Sequence, residues 1–228
     1  MIPARPAVRA APLLILAAMA FAALHAEGGT DGAGADPAAA WVAFARSCFA
    51  GVDTVEAAVA HEVIHPLGAA SAERRGVLRL KRGGLFRLEY GGQDPIVVVS
   101  DGRVIRSWDP ARRLAVEEPA DGSALAAAFA LALGGERGEG AVRWLGGGAK
   151  PEDGSPAALA IELARSAPPA SRVAVALGPT CPSLARIAIA QGSGAAIRIT
   201  LSDVRLGVRF PGRPFAFTPP RGARIVRP

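Results

Sequence analysis

After residue 52, the apolar residues of this chain fall in short runs separated by Gly, Pro and Asp, a pattern typical of β-strands joined by tight turns. It predicts five successive strands in the first half of the chain, which indicates an antiparallel meander. The predicted strands are 55–64, 76–82, 85–90, 96–100 and 104–108.

Two other segments carry apolar residues at helical spacing. The first begins at Asp36-Pro37, as N-cap and first helical residue, and ends near Gly51. The second follows Asp121-Gly122-Ser123 and ends at Gly134-Gly135. Their apolar faces consist of Trp41, Phe44, Ala45, Cys48, Phe49 and Val52 in the first helix, and of Leu125, Ala128, Phe129, Ala132 and Leu133 in the second.

Further strands are predicted after the second helix, at 157–164, 172–177, 184–191, 195–201 and 204–208. The predicted fold class is therefore α+β, mainly β. It consists of a strongly curved antiparallel sheet against which the two apolar helices pack.

The N-terminal residues have the pattern of a secretory signal peptide, with Arg5 and Arg9 before an apolar run from Leu13 to Leu24 and small residues up to Ala26. We expect cleavage near Ala26, a flexible Gly- and Asp-rich leader at 27–35, and a single domain at 36–228. The apolar run is too short for a membrane span, so we expect a soluble periplasmic protein.

The formal net charge is +6, and it falls to +4 when the two arginines of residues 1–26 are removed. The remaining arginines are scattered along strands and turns instead of forming a stripe with aromatics, which argues against nucleic-acid binding. A weak attraction to anionic lipid headgroups and a simple codon bias toward Arg are both compatible with this distribution.

Cys48 and Cys181 are far apart in the sequence, and in an oxidising compartment they can form a disulfide. The alternative is that Cys48 is a small apolar residue on a helix face.

The mature chain is poor in catalytic groups, because only His61 and His65 remain after cleavage. The segment His61-Glu62-Val63-Ile64-His65 matches the HExxH zinc pattern, but its β-branched residues and the following Pro66 favour a strand over the helix that this motif needs. Gly192-Ser193-Gly194 lacks the surroundings of a nucleophile elbow. We therefore expect no enzyme activity, no metal and no cofactor.

Arg82 is the polar residue of most interest. Alternation in Leu78-Arg79-Leu80-Lys81-Arg82 puts Arg82 on the apolar face of the strand, where the free carbonyls of a helix end could accept its hydrogen bonds. The alternative is that Arg82 already belongs to the turn and points into water.

Several blocks of the sequence resemble the periplasmic outer-membrane lipoprotein carrier family (LolA-like). The central blocks are Gly76 to Arg82, Leu85 to Tyr90, Val98 to Arg103 and Trp108-Asp109-Pro110. The closing blocks are Ile199 to Val204 and the tail Pro214 to Ala223. This sequence departs from the family pattern in having Arg82-Gly83 where the family has Arg-Pro, and in having few aromatic residues.

The resemblance implies a half-open β-barrel with a helical lid over an apolar cavity that receives the acyl chains of lipoproteins. It implies transfer from an inner-membrane ABC-type release complex to an outer-membrane receptor, by a carrier that we expect to be a monomer. Arg82 falls where the family arginine locks the lid. The expected lipid-binding residues are Trp41, Phe44, Phe49, Leu125, Phe129 and Leu133 on the lid, and Leu78, Leu80, Phe86, Leu88, Tyr90 and Trp108 on the sheet.

Two other functions remain open at this point. A sensor of lipids or lipoproteins could use the same fold, although such sensors usually carry a second domain for which this chain leaves little room. A zinc hydrolase would need His61 and His65 on one helix face.

Overall fold

The computed structural model describes residues 43, 46–65, 73–133, 142–144, 158–163, 172–177, 184–190 and 194–227. In these residues twelve strands form one sheet, and helix α1 (Ala124–Ala132) follows the sixth strand. The strands are β1 (Thr54–Ile64), β2 (Arg74–Lys81), β3 (Leu85–Tyr90), β4 (Ile96–Asp101), β5 (Val104–Asp109), β6 (Leu114–Pro119), β7 (Val142–Trp144), β8 (Ala158–Leu163), β9 (Arg172–Leu177), β10 (Leu184–Ala190), β11 (Ala196–Leu206) and β12 (Arg224–Val226).

The strand order is β12-β6-β5-β4-β3-β2-β1-β11-β10-β9-β8-β7. Neighbouring strands are antiparallel, except that β12 runs parallel to β6. The two edge strands, β12 and β7, are not hydrogen-bonded to each other, so the sheet stays open. The predicted α+β, mainly β fold with a half-open barrel is confirmed.

The predicted strands of the first half are confirmed, with bounds that shift by at most two residues. The prediction missed β6, β7 and β12, which are short or rich in charged residues. It also divided β11 into two strands, whereas the structure has a single strand with a bulge. Asp203 has φ +52° there, and the pairing with β1 shifts register between Glu56 and Ala58.

The helices agree with the prediction where the structure describes them. Arg46–Cys48 are helical, and Gly51 has the positive φ of a C-cap residue. Helix α1 begins after Ser123, whose carbonyl oxygen accepts the Ala127 N–H at 3.0 Å. The predicted end of the second helix at Gly134-Gly135 and most of the first helix, from Asp36, lie outside the described residues.

The pairing register defines two faces of the sheet, because directly paired residues point to the same side. Val55, Ala57 and Val59 of β1 point to the side that carries the hydrophobic core, which we call the inner face. The alternate residues point to the outer face, where Arg79 binds Glu56 at 2.8 Å and Glu89 at 2.6 Å. The outer face of β1, β2 and β3 is therefore held by ion pairs, and the inner face by apolar packing.

The chain after β11, residues 207–223, crosses the outer face. It begins beside β1, where the Gly207 N–H donates to the Thr54 carbonyl at 2.9 Å. Farther along, the Arg87 guanidinium donates to the Pro214 carbonyl at 3.1 Å. It ends at β12, which pairs with β6 from Arg224↔Leu114 onward. We call residues 207–223 the C-terminal tail.

Candidate functional site

The apolar residues expected to bind a lipid lie together on the inner face. Most belong to one buried cluster, and Leu125 packs against it partly buried. The members of the cluster among the expected residues are Phe49, Leu78, Leu80, Phe86, Leu88, Tyr90, Phe129 and Leu133. In this structure they pack against one another, so an apolar ligand must displace part of this packing to reach the sheet.

The prediction missed the other half of this surface. Strands β9, β10 and β11 contribute buried aliphatic side chains to the same cluster. They are Val173, Val175, Ile187, Ile189 and Ile199. Strict alternation of β-branched residues in Val173-Ala174-Val175 and Ile187-Ala188-Ile189 was the signal that could have identified them.

Trp108 was predicted wrongly as a lining residue. It pairs with Val97, which pairs with Glu89, so all three point to the outer face. The inward residues of β5 are Ile105 and Ser107, because the alternation of this strand is set by its pairing with β4 and not by where its largest side chain falls. Trp41 and Phe44 lie outside the described residues.

Helix α1 covers the inner face and packs against β9 and β10. Its sequence, ALAAAFALA, is rich in alanine, so most positions bury little apolar surface. The main aromatic contact is that of Phe129, whose ring meets Phe86 edge to face at a centroid distance of 4.9 Å. Few large side chains therefore join α1 to the sheet, and Phe129 is chief among them.

Arg82 joins the two helical segments. Its guanidinium donates to the Phe49 carbonyl at 2.6 Å and the Val52 carbonyl at 3.0 Å, beside the end of the N-terminal helical segment. It also donates to the Leu133 carbonyl at 3.2 Å, just after α1. The Asp53 carboxylate forms an ion pair with Arg82 Nε at 3.5 Å. Helix ends leave such carbonyls without partners in the helix, so Arg82 satisfies both ends at once.

The position of Arg82 combines the two alternatives that the sequence left open. It is the first residue of the turn after β2, but its side chain reaches back to the helix ends instead of into water. The next residue, Gly83, has φ +91°. A proline cannot adopt this angle, so the Arg-Gly sequence at this place suits the turn that the structure contains.

His61 and Tyr90 form a polar pair at the other end of the inner face. The Tyr90 hydroxyl lies 2.6 Å from His61 Nδ1. Burial raises the pKa of Tyr90, so the hydroxyl keeps its proton, and the tautomer of His61 sets which of the two groups donates. Burial, and then the charge of Arg74, lowers the pKa of His61 and favours the neutral ring. His61 Nε2 is buried and has no hydrogen-bond partner in the structure.

The HExxH segment lies on a strand, as predicted. His61 and Glu62 belong to β1, and Glu62 binds Arg198 at 2.9 Å on the outer face. Among the described residues, no three His, Cys, Asp or Glu side chains come together in a group that could hold a metal ion. The part of the chain that the structure describes also contains no helix long and apolar enough to cross a membrane.

Cys48 is disulfide-bonded. It is the residue before Phe49, whose carbonyl binds Arg82. Cys181 is the second of the two cysteines in the sequence and lies outside the described residues.

The described residues thus form an open sheet whose apolar inner face is covered by a helix. A family model, outer membrane lipoprotein carrier protein LolA, matches residues 50–218 of this chain. The chain belongs to this family. No curated protein matches it.

Several solved structures are similar to this chain. An uncharacterized conserved protein from Thermus thermophilus is 13% identical, covering 83% of this chain and 99% of its own, with a TM-score of 0.45. A LolA superfamily protein from Nitrosomonas europaea is 12% identical, covering 79% and 97%, with a TM-score of 0.44. A putative outer membrane lipoprotein-sorting protein domain from Vibrio parahaemolyticus is 11% identical, covering 76% and 94%, with a TM-score of 0.42.

Proposed function

We propose that this protein is a periplasmic carrier that binds the acyl chains of lipoproteins on its inner face and carries them from the inner to the outer membrane. Its partners are then an ABC-type release complex at the inner membrane and a lipoprotein receptor at the outer membrane, and it acts as a monomer without catalysis. The observation that carries the proposal is the Arg82 guanidinium, which holds the ends of both helical segments over an apolar sheet.

The physical need for such a protein comes from the cargo. Each methylene removed from water contributes about 0.8 kcal/mol, so a chain of about 15 carbons represents on the order of 12 kcal/mol. The inner face offers aliphatic and aromatic surface from Phe86 and Leu88 on one side to Ile187 and Ile199 on the other. This surface becomes available when α1 moves away from the sheet.

A carrier must also release its cargo, and Arg82 supplies a cost of loading. Lifting the helices breaks its bonds to the Phe49, Val52 and Leu133 carbonyls. A hydrogen bond to a charged group contributes roughly 1.5–3 kcal/mol, and the lower end applies here because the Arg82 side chain is 38% exposed. The bonds reform when the cargo leaves, so the closed state favours unloading.

The test compares Arg82→Leu with the native protein. We expect the variant to retain more acylated lipoprotein after purification from periplasm, as measured by native mass spectrometry, and to pass less of it to acceptor outer-membrane vesicles. Arg103→Leu is the matched control, because Arg103 is an exposed arginine in the turn between β4 and β5. Unchanged retention and transfer by Arg82→Leu would refute the locking role, and native protein free of any acylated ligand would refute the carrier function.

A further inference from the structure

A second site lies on the outer face, away from the inner-face cluster. It is an open recess of about 780 Å³ between the C-terminal tail and the ends of β1, β2 and β3. Lys81 and Leu85, which line it, are paired with each other and share the face of Arg79 and Arg87. The recess is therefore separated from the proposed acyl site by the sheet itself.

Three cationic side chains line the recess, Lys81, Arg209 and Arg213, together with one acidic residue, Asp53. None of the three cations forms an ion pair with an acidic side chain of the described residues within 4.0 Å. Their neighbours on the outer face differ in this respect, since Arg79 and Arg205 both bind Glu56. Within the part of the chain that the structure describes, the recess keeps a net positive charge, since it is lined by three cations and one acid.

The recess is also lined by two aromatic side chains. Phe210 and Phe215 meet edge to face at a centroid distance of 5.7 Å, and Phe215 is only 9% exposed. The tail is anchored on both sides of the recess, by the Thr54 hydroxyl, which donates to the Val208 carbonyl at 2.8 Å, and by Arg87 at Pro214. The recess is thus a concavity held in place by the tail, and we call the two phenylalanines its apolar floor and the cations Lys81, Arg209 and Arg213 its basic rim.

We propose that this recess is a docking site for an acidic peptide segment of a partner protein, with carboxylates at the basic rim and one apolar side chain against the phenylalanines. The charges complement such a segment, and the rim cations would steer its approach. A recess admits a protruding peptide, whereas a membrane surface favours apolar side chains that stand out from the protein. The large hydrophobic residues exposed in the described part of the chain, Ile225 and Val226, lie instead on β12.

This docking site does not depend on the proposed carrier function, because its residues are distinct from the inner-face cluster. It does adjoin Arg82, since Asp53 both lines the recess and pairs with Arg82. A partner bound there would lie beside the end of the N-terminal helical segment.

The experiment measures fluorescence anisotropy with a pool of fluorescein-labelled octapeptides, composed half of Glu and half of Leu and Phe in random order. We expect Arg209→Glu combined with Arg213→Glu to weaken binding about tenfold or more, since two attractive charges become repulsive toward the carboxylates. The matched control is Arg103→Glu combined with Arg224→Glu, which makes the same charge change at two exposed sites outside the recess. We expect this control to stay within about twofold of the native protein.

A change in the opposite direction adds a second test. Asp53→Asn removes the one negative charge of the recess, so it should strengthen binding of the acidic pool by about two- to fivefold. Equal weakening by the recess variant and the control would overturn the proposal, as would the absence of any binding to native protein. Vesicles containing phosphatidylglycerol serve as the competing probe. If these bind through Arg209 and Arg213 while the peptides do not, the recess takes a lipid headgroup and the peptide proposal is wrong.

Discussion

Replacing Phe129 by alanine tests whether α1 is a separable lid. Phe129 is 2% exposed and supplies the edge-to-face contact with Phe86. Truncating a buried Phe to Ala costs about 3–5 kcal/mol. The lower end of that range is expected here, because the neighbouring alanines of α1 allow the helix to settle closer to the sheet.

The loss of stability should appear as a lower free energy of local opening of α1. A change of about 3 kcal/mol corresponds to roughly a hundredfold faster amide exchange in residues 124–133. Hydrogen exchange followed by mass spectrometry measures it, with the strands as an internal reference. We expect β1, β2 and β3 to keep their protection in the Phe129→Ala variant.

Ile187→Ala is the matched control. Ile187 is fully buried in the same cluster but belongs to the sheet, so its truncation should lower the protection of the strands and of α1 together. If Phe129→Ala accelerates exchange in the strands as much as in α1, the helix unfolds only with the whole domain and the lid mechanism is refuted. Unchanged exchange in α1 would show that Phe129 does not hold the helix.

The remaining predictions concern stability. The pKa of His61 in the folded protein lies below its ordinary value of 6.5, so the neutral ring contributes fully to stability above pH 6.5, and this contribution is lost as the pH falls through the lowered pKa. In urea unfolding, the free energy of unfolding of His61→Gln should therefore fall less between pH 6.5 and 5 than that of the native protein, and an equal fall in both would contradict this. Gly76→Ala places a Cβ in steric conflict with the Glu89 carbonyl oxygen of β3 and should cost about 3 kcal/mol or more, whereas Gly91→Ala meets nothing within 4 Å and should be tolerated; equal melting temperatures of these two variants would refute this. We propose that Cys48 is bonded to Cys181, which closes a loop of about 130 residues, so Cys48→Ser should lower the free energy of unfolding by up to about 5 kcal/mol; two free thiols in denatured native protein would rule this out.

The prediction from sequence worked best where local pattern and environment agree. In β2 and β3 the alternation of Leu78, Leu80, Phe86 and Leu88 with charged residues identified the inner face correctly, because a side chain on a strand has only two directions. The pattern failed at Trp108, since nothing local shows whether a large aromatic residue faces the core or the outer face.

Arg82 shows the same division between local and tertiary information. Its alternation indicated a side chain on the apolar side, and the resemblance implied a role in locking the lid. Its actual partners are carbonyls that the fold brings from positions 33 residues before it and 51 residues after it. Which carbonyls are free depends on where each helix ends in the folded protein.

The sequence by itself determined the first five strands, helix α1 and the inward residues of β2 and β3, because hydrophobic periodicity and turn residues are local properties. Only the tertiary structure decided the bulge at Asp203, the pairing of His61 with Tyr90 and the recess under the C-terminal tail. These features arise from contacts between segments far apart in the chain. Such contacts depend on register and chain path, for which a single sequence carries no periodic signal.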